Sequence, residues 1–207
     1  MKKKLLKLLV IVTLLYNVTT GFSSWNKTTV KYNLPDATTI TTVSPEKQEF
    51  ETYNFPFIGK SYVGFKEAVA FKESQGKYNR INTLGYLGKY QFGKSTLKRF
   101  KIYNTIEFLK DPSLQEDAFL ALCSVNKWIL IRDIKRSVGK RINGIKITES
   151  GILAAAHLAG AGNVKKYLRS NGTIRFSDAY GTDIEYYLKK FAGYDTSFVE
   201  ANRKPVI

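Results

Sequence analysis

From Ser61 onward, apolar residues recur at helical spacing, and the pattern predicts helices at about 62–75, 93–100, 113–138, 148–158, 161–170 and 183–191. Glycine or asparagine punctuates these stretches at Gly76, Gly139, Asn143-Gly144, Gly160, Gly162, Asn171-Gly172 and Gly193. The segment from Trp25 to about Lys60 is different: it is rich in Thr, Asn and Pro, lacks a helical period, and reads as an extended tether with a short strand at Ala37–Val43. Ahead of it stand Lys2, Lys3 and Lys4, an apolar run from about Leu8 to Leu15, and then small and polar residues. That layout is a secretory leader, and the run is shorter than the ~20 residues a membrane-spanning helix needs. The expected organisation is a leader at 1–24, a tether at 25–60, a mainly helical domain at 61–198 and a tail at 199–207.

Composition supports one packed domain: the 207 residues are 43% hydrophobic and 14% aromatic, enough to exclude global disorder. The one cysteine, Cys123, lies in an apolar stretch and reads as a small buried hydrophobe, so disulfides are not expected. Formal net charge is +16; the first 24 residues hold four lysines and no acid, so the remainder keeps +12. Such a surface points to a polyanion, and with an export signal the expected partners are anionic wall polymers or lipid headgroups rather than nucleic acid. The chain carries no Cys and His cluster, so neither metal nor cofactor is expected.

Two segments carry candidate chemistry. Phe65, Val69 and Glu73 fall four apart on a helix that Ser61 can cap, so Glu73 continues an apolar stripe and sits in the last turn before Gly76. Partial burial and the negative end of the helix dipole both favour the protonated carboxyl, the form a glycosidic oxygen needs as proton donor. The plainer alternative is a solvated carboxylate at a frayed helix end, beside Lys72 and Lys77. Glu67 lies on another face and reads as a surface charge. The second segment, Gly85-Tyr86-Leu87-Gly88-Lys89-Tyr90-Gln91-Phe92-Gly93, predicts a small hairpin or tight loop. Its aromatic faces could pack on sugar rings, and Gln91 offers a donor and an acceptor to an acetamido group; equally, the tyrosines could belong to a small core.

Glu73-Ser74-Gln75-Gly76 and the hairpin together resemble the soluble lytic transglycosylases and goose-type lysozymes. In that family a helix-terminal Glu-Ser-x-Gly is followed by a glycine-containing loop with a Gln about eighteen residues after the Glu, and here Gln91 follows Glu73 by 18. Asp111-Pro112-Ser113-Leu114-Gln115 resembles the family's Asp-Pro helix start, and Ala155-Ala156-His157-Leu158-Ala159-Gly160-Ala161-Gly162-Asn163-Val164 its Ala-Ala-Tyr-Asn-Ala-Gly-x-Gly-x-Val. The four elements keep the family's order over about 65–168. The resemblance implies a mainly α, lysozyme-like fold in which the hairpin lines a cleft. It further implies Glu73 as catalytic acid and Ser74, Tyr86, Tyr90, Gln91 and His157 as substrate-binding residues.

Two departures stand out. His157 replaces the family Tyr whose hydroxyl contacts the catalytic Glu, and Leu158 replaces the following Asn. A neutral imidazole can still hydrogen-bond the carboxyl, whereas a protonated one favours the carboxylate. The Asp178–Asp183 segment with Tyr186 and Tyr187 looks like a feature that closes the far end of the cleft, or more simply a loop and helix cap.

Hydrolysis by paired carboxylates needs a second acid. Glu149, Glu116 and Asp117 all fall in expected first turns of helices, where acids have a structural reason to be. The resemblance implies a route with one acid, in which Glu73 protonates the leaving oxygen and the substrate's 6-hydroxyl closes a 1,6-anhydro ring on N-acetylmuramic acid. The expectation is an exported, periplasmic or wall-associated monomer that acts as a lytic transglycosylase on peptidoglycan glycan strands. The alternatives are a hydrolytic muramidase or a non-catalytic wall-binding module of the same fold.

Overall fold

The computed structural model describes residues 59–207. The expected leader, the strand at Ala37–Val43 and the tether up to residue 58 lie outside the described residues. The described fold is mainly α, with six helices and one pair of two-residue strands among these residues. Helix α1 spans Tyr62–Ser74, α2 Lys94–Arg99, α3 Thr105–Lys110, α4 Pro112–Ser137, α5 Glu149–Arg169 and α6 Ile184–Lys190.

Local chemistry sets the ends of these helices. The Ser61 hydroxyl accepts from the Gly64 N–H at 3.1 Å and starts α1. The helix stops one residue before the predicted Gly76: Gln75 takes the left-handed conformation (φ 60°), and the Gly76 N–H reaches back to the Ala70 carbonyl at 3.2 Å. Asp111 caps α4 through the Leu114 N–H, and Pro112 occupies the first helical position, where its missing N–H is harmless. Thr148 and Asp183 cap α5 and α6 in the same way.

Helix α5 is the centre of the molecule. Residues from Ser150 to Ala156 are all buried, and the three consecutive alanines let neighbouring elements approach from every side. At Gly151 the backbone of α6 comes so near that a Cβ would sit 2.7 Å from the Leu188 carbonyl oxygen. The helices predicted at 148–158 and 161–170 are the two parts of α5: they meet at a kink at Gly160, whose non-helical φ of 78° and ψ of 148° suit only glycine. Helix α3 escaped the sequence pattern because six residues are too few to show a period, although Asn104 caps it with bonds to the Ile106 and Glu107 N–H groups. Asn143-Gly144 is the two-residue turn of a hairpin between β1 (Arg141–Ile142) and β2 (Ile145–Lys146), with both turn residues at positive φ.

The expected glycine-aromatic hairpin forms through single bridges. Leu87 and Phe92 exchange backbone hydrogen bonds of 2.9 and 2.7 Å, and Ile81 bridges Leu87 on the other side. This hairpin is clamped to α4. The Gln115 side chain is fully buried, accepts from the Lys89 N–H at 2.8 Å and donates to the Phe108 carbonyl at 2.8 Å. Only glycine fits at position 88, because a Cβ there would lie 2.2 Å from the Gln115 Oε1.

The compact unit continues past the predicted boundary at 198: Val199 is fully buried, and the Asn202 N–H donates to the Ser124 carbonyl. Cys123 is buried as expected, and burial pushes its thiol up to about 12. No helix among the described residues is long and apolar enough to cross a membrane.

Candidate active site

Glu73 is the penultimate residue of α1, and its side chain is 16% exposed, between the buried Phe65–Val69 face and solvent. Its Oε1 accepts a 2.5 Å hydrogen bond from the Tyr187 hydroxyl on α6. Burial first, and then the neighbouring Glu73 carboxylate, holds the Tyr187 hydroxyl far above the ordinary phenol range, so it is an obligate donor. Among the described residues Oε2 has no hydrogen-bond partner. One oxygen of the carboxyl is therefore fixed and the other is open to a reacting group.

The structure brings four of the sequence-predicted residues together. Glu73, Tyr86, Gln91 and His157 line a hollow of about 240 Å³, closed on its remaining side by Asp178, Tyr180 and Tyr187. Tyr86, Gln91 and His157 also line a second hollow of about 510 Å³, which extends over Ser95, Asn126 and the Gly160–Gly162 bend. Tyr86, Gln91, His157 and Leu158 line both, so the two hollows adjoin and form a groove with Glu73 in its smaller part. The Thr83 and Tyr180 hydroxyls lie 2.8 Å apart and join the hairpin loop to the Asp178–Thr182 loop.

His157 does not make the carboxyl contact its position suggested. Its Nε2 lies 4.0 Å from Glu73 Oε1 and instead donates to the Tyr90 carbonyl at 2.9 Å; a carbonyl only accepts, so Nε2 carries the proton. The ring packs edge-on against Phe92 and Phe119, and Nδ1 is buried without a partner. Gln91 sits at a φ of 51° and gives its amide N–H to the Gly88 carbonyl at 2.8 Å. Its side-chain oxygen remains as an acceptor on the groove wall, so of the two functions expected of it only one is free.

Ser74 and Tyr90 do not reach the groove. The Ser74 hydroxyl is 2% exposed, donates to the Lys89 carbonyl at 2.7 Å and accepts from the Lys77 N–H, which fixes the helix end to the hairpin. Tyr90 is fully buried, stacks on Phe119 at 4.1 Å and donates its hydroxyl to Glu116 at 2.8 Å. Both belong to the scaffold that aims Glu73 and Gln91, for the simple reason that no atom of either can meet a ligand.

The remaining acids have partners that account for them. Glu116 accepts from Lys66, Lys89, Tyr78 and Tyr90; burial opposes its ionisation, these four bonds outweigh it, and the carboxyl is held down at about 2. Glu67 is more than the surface charge it resembled, since it pairs with the buried Lys89 at 2.7 Å. Glu149 is held by Lys127 at 2.6 Å and by the Thr196 hydroxyl at 2.8 Å. Asp178 alone among these acids lines the groove beside Glu73, with Oδ1 accepting from the Tyr180 and Thr182 N–H groups in its own loop.

Tyr187, grouped by the sequence with the loop that closes the far end of the cleft, has a contact with Glu73 that the sequence did not show. Ile184, Tyr187 and Leu188 form the buried face of α6, so spacing alone places its ring inward. That its hydroxyl meets a carboxyl 114 residues earlier has no local signal. The chain matches no family model, no curated protein and no solved structure in the comparisons made.

Proposed function

We propose that the protein is a peptidoglycan lytic transglycosylase with a lysozyme-like fold, in which Glu73 is the single acid and base. What supports this most is one carboxyl half-buried on a groove floor, with one oxygen tied by Tyr187 and the other unpartnered. Tyr86 and the Gln91 carbonyl on the groove wall suit an acetamido sugar, which offers an apolar face and an N–H.

In the proposed reaction Glu73 gives its proton to the oxygen between N-acetylmuramic acid and N-acetylglucosamine as the C1–O bond breaks. The 6-hydroxyl oxygen of the muramic residue then bonds to C1, and its proton passes to the Glu73 carboxylate, which restores the acid. Tyr187 holds Oε1 throughout, so that the same oxygen, Oε2, gives and receives the proton. No metal or cofactor takes part.

A second reading rests on Asp178. Its place in the same hollow would let it activate a water, and the reaction would then be hydrolysis. Mass analysis of muropeptides released from purified walls separates these readings. Anhydro products, abolished by Glu73→Gln and retained by Asp178→Asn, support the transglycosylase. Hydrated reducing ends lost in both variants support the muramidase, and no release by the wild type leaves a binding module. General acid catalysis sets the expected loss in Glu73→Gln at ~10²-fold or more.

A further inference from the structure

The seam between the C-terminal halves of α4 and α5 is strongly and unevenly charged. From Lys127 to Arg141 there are six basic residues and one acid, Asp133, and α5 adds Lys165, Lys166 and Arg169. Asp133 is already spent: its carboxylate is buried and shared between Arg136 and Arg169, the latter at 2.9 Å. Arg132 and Lys165 have no acidic partner among the described residues, and both line a hollow of about 420 Å³ along the seam. Trp128 lies at the rim, 42% exposed, with the Arg203 guanidinium 5.3 Å from its ring centre. The hollow adjoins the wide end of the Glu73 groove, since Ile129 lines both.

Unpaired cations held side by side over a trough repel one another, and the arrangement is relieved when an anion lies between them. A trough between two helices fits a linear ligand better than a flat bilayer, which is normally met by a protruding apolar face. One exposed indole also gives too few platforms for successive nucleic-acid bases, which need a row of aromatic rings. We propose that this seam is a second, non-catalytic binding site for a linear phosphodiester polymer, with Arg132 and Lys165 on its phosphates and Trp128 against the apolar links between them. The site does not depend on the chemistry assigned to Glu73, and its position would tether the protein to a polyanion while leaving the groove open.

The test is titration of the purified protein with poly(glycerol phosphate) at two salt concentrations. Wild type is compared with Arg132→Ala/Lys165→Ala and with Lys98→Ala/Lys110→Ala, which removes the same charge from exposed positions on α2 and α3. The seam pair should weaken binding about tenfold and reduce the salt slope by about 1.4, as two lost phosphate contacts imply. The control pair should weaken it less than threefold. Equal losses from both pairs, or none from the seam pair, overturn the proposal by showing that net charge alone attracts the polymer. Tighter binding of wild type to phosphatidylglycerol vesicles or to duplex DNA, at equal phosphate, overturns the identity of the ligand. If either double variant fails to melt cooperatively, the single variants Arg132→Gln and Lys165→Gln give the same comparison.

Discussion

Replacing Glu116 with glutamine removes one charge from the cluster that holds the Gly85–Gly93 hairpin against α4. The carboxylate accepts four hydrogen bonds, from Lys66 at 2.6 Å and from Lys89, Tyr78 and Tyr90 at 2.8 Å each. Its side chain is 22% exposed, so solvent screens these contacts only in part. The carboxyl is held at about 2 against an ordinary 4.5, because those bonds outweigh the burial that opposes its charge. That gap corresponds to roughly 3 kcal/mol of folding stability at neutral pH. The folded value lies below the unfolded one, so the contribution is complete above about 4.5 and is lost as pH falls towards about 2. Glu116→Gln lacks it at every pH. Urea unfolding followed by circular dichroism should show a deficit of roughly 3 kcal/mol at pH 7 that narrows below pH ~4.5 and is nearly closed by pH ~2. A deficit under ~1 kcal/mol at pH 7, or one that stays constant down to pH ~3, would refute the reasoning.

Tyr187→Phe keeps the ring in its place on α6 and removes the donor to Glu73; the expected loss is ~10–100-fold in release of muropeptides from walls, with cooperative melting retained. Gly88→Ala should destabilise by more than ~2 kcal/mol, because its Cβ collides with the Gln115 side chain at 2.2 Å and φ is +76°. Gly85→Ala, also at positive φ but with open space around it, should lose only ~1 kcal/mol, and thermal melts of the two variants check the order.

What the sequence made legible follows the reach of each interaction. Caps and periods act within four residues, so α1, α4 and α6 appear near their predicted limits, with Ser61, Asp111 and Asp183 starting them. Gly160 read correctly as punctuation, yet punctuation does not say whether a chain turns away or resumes the same helix. Here the helix breaks: Gly160 leaves helical φ and ψ, and Ala161, Val164 and Leu168 supply the buried face of the helical stretch that follows the kink. The site residues divide in the same way. Glu73, Gln91 and His157 were found through spaced motifs, and they meet across 84 residues of chain. Tyr90 and Ser74 sit in those motifs just as regularly and are scaffold, since spacing cannot distinguish a side chain facing the groove from one facing the core. The Lys89–Glu116–Glu67 cluster was invisible as a unit: Glu67 reads as a surface charge and Glu116 as an acid near a helix start, and only packing, which buries Lys89 to 4% exposure, joins them.

On the proposed function, the donor to the acid sits on another helix from the one that carries position 157. On the resemblance, a tyrosine there would give its hydroxyl to the catalytic carboxyl, and histidine is too short and differently aimed to replace it. Its Nε2–H is committed to the Tyr90 carbonyl, and Nδ1 is buried without a partner. A carboxyl with no fixed donor would be free to rotate, and general acid catalysis depends on holding the proton near the leaving oxygen. Tyr187 supplies that donor from α6, and it is held in place by packing on Phe191 at 5.0 Å. The two residues control different things. His157 fixes the backbone of the hairpin, and through it the seat of Gln91, while Tyr187 holds one oxygen of the Glu73 carboxyl. Replacing His157 should therefore disturb substrate affinity through Gln91 more than the chemical step, and replacing Tyr187 should do the reverse.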